Sequence, residues 1–450
     1  MPHIEGPVRY PLSAELSARC VDQPGGEDMA RFVMPLAWRI KGSVDSAALQ
    51  HALDDVVTRH ESLRTTVTCG CGDGEAGYQT VLPPVPVPLT EHQLATGPNQ
   101  SRDDLAEELL VKLHSDTMSM HQTPLLRAAL HRFDDQDSVL TILFHHISGD
   151  GRSTHLLWRD LAAFYRARTT GTEPDLPPIR QYGEYAEWQQ EWLNSPKTKE
   201  LKEFWGGQLA NAHILAPSAD HPDRVANAHD PHYGSTTVDV APDEMAEVRA
   251  RARSGRSSTW HVLIAAGALL AAQLSGETDV ALMTLRASRD HKDFQETIGM
   301  FVDTMPLRVD LNGCETFRDV LVRARNTCLE AYRRPLPSRN IAEESPDFLQ
   351  PYVSSENVPV LFTYSVHARP GEEIRIADGA EPVKLRQEAA LNRGGLCNWI
   401  IWDLQSGGLR MQLEYPPERI DEGTAAHWTT LFRELMLRIT NTPDQSWKEV

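Results

Sequence analysis

Apolar and polar residues along the chain follow two periods, one near two residues and one near 3.6, in alternating blocks. RFVMPLAWRIK (31–41) reads as a strand. Asp45 then opens a helix with Leu49, Leu53, Val56 and Val57 on one face. Thr65, Thr66 and Val67 favour a strand, YQTVL and VPVPL read as two more, and a helix is expected near 102–118. PLLRAALHRF and SVLTILF form a hairpin around the polar turn Asp134 to Asp137. Beyond Gly151, Leu157, Leu161, Phe164 and Tyr165 return to helical spacing.

Residues 168–181 (RTTGTEPDLPPIRQ) hold three prolines and no period, which predicts a domain boundary there, giving domains 1–178 and 179–450. The second half opens with two aromatic-rich helices, YGEYAEWQQEWL and ELKEFWGGQL. It then alternates: strands at 234–240, 279–287 and 305–311, helices at 242–253, 257–274, 316–333 and 424–440, and several strands between 358 and 416. Both halves mix strands and helices alike, so the expected class is α/β (α+β) with two similar domains.

Composition narrows the function. A chain of 450 residues with a formal net charge of −19 lacks the basic balance of a nucleic-acid binder and is unsuited to anionic membranes. The start carries no basic and apolar signal pattern, and the longest apolar run, Trp260 to Leu274, reads as a buried helix. Six scattered cysteines, with only Cys69 and Cys71 close-spaced, complete no zinc site, so no metal is expected. They predict a reducing, cytoplasmic location with free thiols.

One stretch concentrates chemistry: FHHISGDGRS (144–153) ends a strand and opens a helix. Adjacent strand residues point to opposite faces, so His145 and His146 are poorly placed as twin ligands; one faces the core and the other the strand's end. A histidine titrates near neutrality and can trade protons there. Asp150 at a helix start either caps the helix or pairs with a cation. Gly149 and Gly151 allow tight turns and close approach of the backbone to a ligand.

HHISGDG (145–151) fits HHxxxDG, and the chain resembles the condensation domains of nonribosomal peptide synthetases and related acyltransferases over nearly its whole length. RHESLRTTV (59–67) is similar to RHExLRTxF, QYGEYAEWQQEWL (181–193) to YxDYAxWQ, and EFWGGQL (203–209) to YWxxQL. IGMFVDTMPLR (298–308) resembles IGxFVNTxxxR, VPVLFTYSVH (358–367) the strand before the latch crossing, and LRMQLEYPPERID (409–421) the close LxGxxEYxxxLFD.

The resemblance implies two chloramphenicol-acetyltransferase-like domains in a V-shaped pseudo-dimer with a central tunnel. It implies that His146 orients or deprotonates the acceptor, that His145 is structural, and that Asp150 pairs with Arg289 of TLRASR (284–289), in a strand–loop of the second domain. Gly151 would bring its backbone N–H toward the condensing centre, and Asn398 would lie near the reacting groups unless it is an ordinary strand residue. No cofactor is expected to be bound; phosphopantetheine would arrive on an acyl or peptidyl carrier protein, the donor, and the acceptor would be small or carrier-bound.

Departures from the pattern are Leu16 near the expected glutamine of SxAQxRxW, Gly149 where serine or alanine is commoner, Asp303 for asparagine, and RRPLPSR (333–339) for HxDxPFE. With the chain expected to be freestanding, they point to an unusual donor or acceptor and an ester or amide product. The alternatives are a coenzyme-A-dependent acyltransferase of the same superfamily and a catalytically silent recruitment module.

Overall fold

The structure, a computed structural model, describes residues 6–22, 27–70, 76–97, 100–224, 233–348, 358–365, 379–382, 396–404 and 406–449. In chain order, the first strands are β1 (Val8–Pro11), β2 (Val33–Lys41), β3 (Thr65–Thr68), β4 (Tyr78–Val81), β5 (Leu89–Gln93), β6 (Leu126–Asp134) and β7 (Asp137–His145). They are followed by β8 (Gly234–Val240), β9 (Asp279–Ala287), β10 (Val302–Asp310), β11 (Val360–Ser365), β12 (Gly379–Pro382), β13 (Cys397–Asp403) and β14 (Leu409–Tyr415). The helices of the first half are α1 (Ala14–Asp22), α2 (Ser46–Arg59), α3 (Arg102–His114), α4 (Gly151–Thr170) and α5 (Tyr182–Leu193). Those of the second are α6 (Pro196–Leu209), α7 (Pro242–Ser254), α8 (Thr259–Ser275), α9 (Phe317–Arg333), α10 (Ser338–Glu344) and α11 (Glu422–Asn441).

Two compact units result. The first comprises Met1–Ser195, Ala287–Val302 and Ala368–Ala389; the second comprises Pro196–Arg286, Asp303–His367 and Ala390–Val450. The division after Ser195 differs from the boundary expected at 178/179, because α5 packs on β1 and stays with the first unit. Local pattern locates the proline-rich segment but not the side to which the next helix adheres.

In the first unit, a sheet of order β12-β2-β7-β6-β5 carries α2 and α4, and a smaller sheet has the order β1-β4-β3. Asp45 caps α2 by accepting the Ala47 and Ala48 amides, and Leu49, Leu53, Val56 and Val57 are buried on the predicted face. Strand β7 is buried along its whole length, as a central strand covered on both faces must be. Asp137, expected in the hairpin turn, is instead the first residue of β7; its carboxylate accepts both Arg39 Nε and Nη2 at 2.6 Å.

The second unit is built on a sheet of order β10-β9-β11-β13-β14-β8. Helix α8 is apolar all round, and Val262 to Ala272 are buried, as the long apolar run predicts. Among the described residues, no single helix is long and apolar enough to cross a membrane.

Free thiols were expected throughout, and one pair departs from this. Cys20 of α1 and Cys69, just beyond β3, form a disulfide across 49 residues, their Cα atoms 5.3 Å apart. Tertiary packing, not spacing, brings them together, so scattered cysteines do not establish a reducing compartment. Cys314, Cys328 and Cys397 are free and buried, and Cys71 lies outside the described residues.

Candidate active site

The HHISGDG stretch occupies the junction between β7 and α4 in the first unit. Strand β7 ends at His145, and His146 to Ser148 form a 3₁₀ turn. The separation of the two rings therefore arises partly from the turn and not from strand alternation alone. His145 is fully buried; its Nδ1 accepts the Ile147 amide at 3.2 Å. Burial, helped by the neighbouring His146, pushes its pKa down to about 4, against one backbone hydrogen bond that raises it, so the ring is neutral at neutral pH. Ser148 Oγ donates to the His145 carbonyl at 2.7 Å and closes the turn. His146 is half-buried and lies flat on Phe32, with ring centroids 4.3 Å apart and planes 4° from parallel.

The two glycines differ. A Cβ on Gly149 would lie 2.8 Å from Phe144 Cε2 and 3.0 Å from Ser153 Cβ, so the commoner serine or alanine would require the buried Phe144 ring to shift. A Cβ on exposed Gly151 would meet nothing within 4 Å. Gly151 is the first residue of α4, where a backbone N–H has no acceptor within the helix.

Asp150 both caps α4 and forms an ion pair, so the two alternatives are realised together. Oδ1 accepts the Ser153 amide at 2.8 Å and Arg289 Nη2 at 3.0 Å, and Oδ2 accepts the Phe301 amide at 3.2 Å. Arg289 Nη1 donates to the carbonyls of Phe294 (3.1 Å) and Thr297 (2.7 Å), and its guanidinium lies 4.0 Å from the centroid of Phe301. Both members are buried. Arg289, expected in the second domain, belongs to the same compact unit as Asp150, because the segment 287–302 is hydrogen-bonded to α4 and its surroundings.

Ser153 is a member of this knot that the sequence pattern did not single out. Its Oγ lies 2.8 Å from Asp150 Oδ1 and accepts the Gly299 amide at 3.2 Å. Its signal was the three-residue spacing from Asp150, the spacing of a helix cap to its N3 position. Other resembled motifs serve as framework. Tyr182 donates to the Met300 carbonyl at 2.6 Å, and a Cβ on Gly299 would strike its ring. Gln189 Nε2 and the Tyr185 hydroxyl hold the buried Glu15 at 3.1–3.2 Å.

Asn398 belongs to β13 of the second unit. It is 2% exposed; its amide donates to Glu414 Oε2 at 3.2 Å, and its carbonyl oxygen accepts from Thr363 Oγ1 at 3.4 Å. Both ends of its side chain are engaged by neighbouring strands of the same sheet. Among the described residues, no cluster of His, Cys, Asp and Glu is fit to hold a metal ion.

A buried ion pair, a neutral histidine and a half-open histidine thus share one strand–turn–helix junction. The Condensation domain model matches residues 26–450, and the chain belongs to that family. It is 29% identical over 421 residues to malpinin synthetase of Mortierella alpina, covering 92% of this chain and 5% of that protein. The chain spans 5% to 8% of the length of the curated relatives it first matches.

The SgcC5 protein from Streptomyces globisporus, solved with (R)-(-)-1-(2-naphthyl)-1,2-ethanediol and sucrose, superposes with a TM-score of 0.85 at 29% identity, covering 97% of this chain and 100% of that one. The X-domain from teicoplanin biosynthesis superposes with a TM-score of 0.80 at 25% identity, covering 99% and 98%. The fold is thus the chloramphenicol-acetyltransferase-like fold of condensation domains.

Proposed function

We propose that the chain transfers an acyl or aminoacyl group from a carrier-protein phosphopantetheine thioester to a hydroxyl or amine, with His146 as the base. The observation that carries this reading is the division of labour between the two histidines. His145 is sealed and neutral, while His146 is half-open at the mouth of a junction whose backbone is locked by Asp150 and Arg289.

The acceptor oxygen attacks the thioester carbonyl carbon as an imidazole nitrogen of His146 takes its proton. The carbon–sulfur bond breaks, and the proton passes to the departing thiolate, giving ester and free thiol. Gly151 fits a supporting role. Neither its backbone conformation nor this chain's packing demands a glycine, and as the first residue of α4 its N–H has no acceptor within the helix and is available to a substrate oxygen. A hydroxyl acceptor is favoured over an amine, because a relative at 29% identity was solved with a diol. A hydroxyl needs its proton removed as the bond forms, whereas a neutral amine attacks with its own lone pair.

The test offers one acyl group, on a carrier protein or on coenzyme A, to matched acceptors differing only in oxygen or nitrogen, and follows thiol release and product mass. The reading expects carrier-dependent ester formation. Faster turnover with acyl coenzyme A would overturn the donor, faster consumption of the amine would overturn the ester, and no thiol release with any pair would overturn acyl transfer.

A further inference from the structure

The sequence singles out the two histidines but nothing that aims them. A base must be held within a narrow range of angles, and the outer torsion of histidine is broad and weakly preferred. We propose that Phe32 is the positioning residue of His146, an inference that rests on the base role given above.

The register places Phe32 there. Strands β2 and β7 pair antiparallel with Val33 opposite His145, so the residue before Val33 falls beside the residue after His145. The pairing extends one step past the strands: the His146 amide donates to the Phe32 carbonyl at 2.7 Å. Backbone and ring are thus fixed by the same residue, the amide by the carbonyl and the imidazole plane by the phenyl face, 4.3 Å away and 4° from parallel.

Phe32 is itself held. The Arg19 guanidinium carbon lies 5.5 Å from its ring centroid, within cation–π range. Cys20, next in α1, is bonded to Cys69, and both cysteines pack with Phe32 against the cluster of Leu16, Met120, Leu125 and Ile147. The disulfide therefore fixes the end of the helix that backs the ring. The plane of His146 is thus backed through two steps of packing, Phe32 on the ring and α1 on Phe32.

The test is Phe32→Leu, which keeps apolar volume and the backbone acceptor but removes the flat face, beside Phe32→Tyr, which restores it. We expect F32L to lower kcat by roughly 10- to 100-fold with KM little changed, the scale of a misplaced catalytic group, and F32Y to recover most of the loss. In protein carrying ¹³C-histidine, the ring protons of His146, assigned with H146A, should sit upfield from the phenyl ring current, and that displacement should vanish in F32L. Should F32L not fold, F32M carries the same comparison.

F32L or F32M at wild-type kcat, F32Y no better than F32L, or His146 ring protons without the upfield displacement would each overturn the proposal. H146A in the same assay separates the two readings. If H146A is slow and F32L fast, the clamp is wrong and the base stands; if H146A is fast, the base is wrong and the clamp falls with it.

Discussion

Two buried aspartates, one in each compact unit, are neutralised in different ways. Asp150 faces a buried guanidinium and two backbone amides. Asp303 is also buried, but its carboxylate is met by the Ser338 amide at 2.7 Å, the Ser338 hydroxyl and the Thr304 amide at 2.8 Å. Burial raises the Asp303 pKa above the usual carboxylate range, although those hydrogen bonds and the charge of Arg286 pull it back. The first site keeps the family pattern HHxxxDG. The second is made of departures from two other resembled motifs, Asp303 for the asparagine of IGxFVNTxxxR and Ser338 in RRPLPSR for HxDxPFE, and these bond to each other. Asp150 is thus held by a cation, and Asp303 by hydrogen-bond donors and the more distant charge of Arg286.

Breaking the first site should cost most. Asp150→Ala leaves Arg289 as a buried unpaired charge, at roughly 3–5 kcal/mol. A melting or urea curve should show the loss, and an apolar partner in D150A/R289M should recover part of it. A D150A protein with an unchanged midpoint would mean that Arg289 is neutralised without Asp150.

Acid should act next, through His145. Its folded pKa, about 4, lies below the usual 6.5, so the folded state binds the proton less well than the unfolded chain. Stability is therefore complete above pH 6.5 and falls as pH drops toward 4, by roughly 3 kcal/mol at most for this one group. Burial lowers His60, His131 and His261 in the same direction. His145→Asn, which keeps an acceptor for the Ile147 amide, should flatten the slope over pH 6.5 to 4 by about one proton. An unchanged slope would place His145 outside the acid transition.

Asp303→Asn should cost least, about 1 kcal/mol, because the amide keeps the shape and one acceptor oxygen and loses only one of the hydrogen bonds to Ser338. The sign in acid is opposite to that of His145. A raised carboxylate pKa means that the folded state holds the proton more tightly, so wild type regains stability as pH falls through the folded pKa of Asp303. D303N should lack that gain, and a gain retained in D303N would assign it to another group.

How far the sequence shows these features depends on the range of the interaction that makes them. The β7–α4 junction is legible because it is local: an apolar run ends in His145, and Asp150 stands where a cap must. Most elements lie within a few residues of their predicted ends for the same reason; 234–240 and 279–287 were read as the observed strands. Arg289 was reached through a resembled motif, but its place in the first unit depends on where a returning segment packs. Phe32 and the Cys20–Cys69 bond carry no local signal, because each depends on strands or helices far apart in the chain meeting in one register. The partners of Asn398, Glu414 and Thr363, lie on other strands and carry no local signal either.

Whether His146 takes the acceptor's proton is decided by His146→Ala in single-turnover thiol release from an acyl-carrier thioester, with the melting curve as a check on folding. H146A should keep an intact fold and lose roughly 10²–10⁴-fold in rate, the usual contribution of a positioned acid–base group. A folded H146A protein that releases thiol and forms product at close to the wild-type rate would contradict that role.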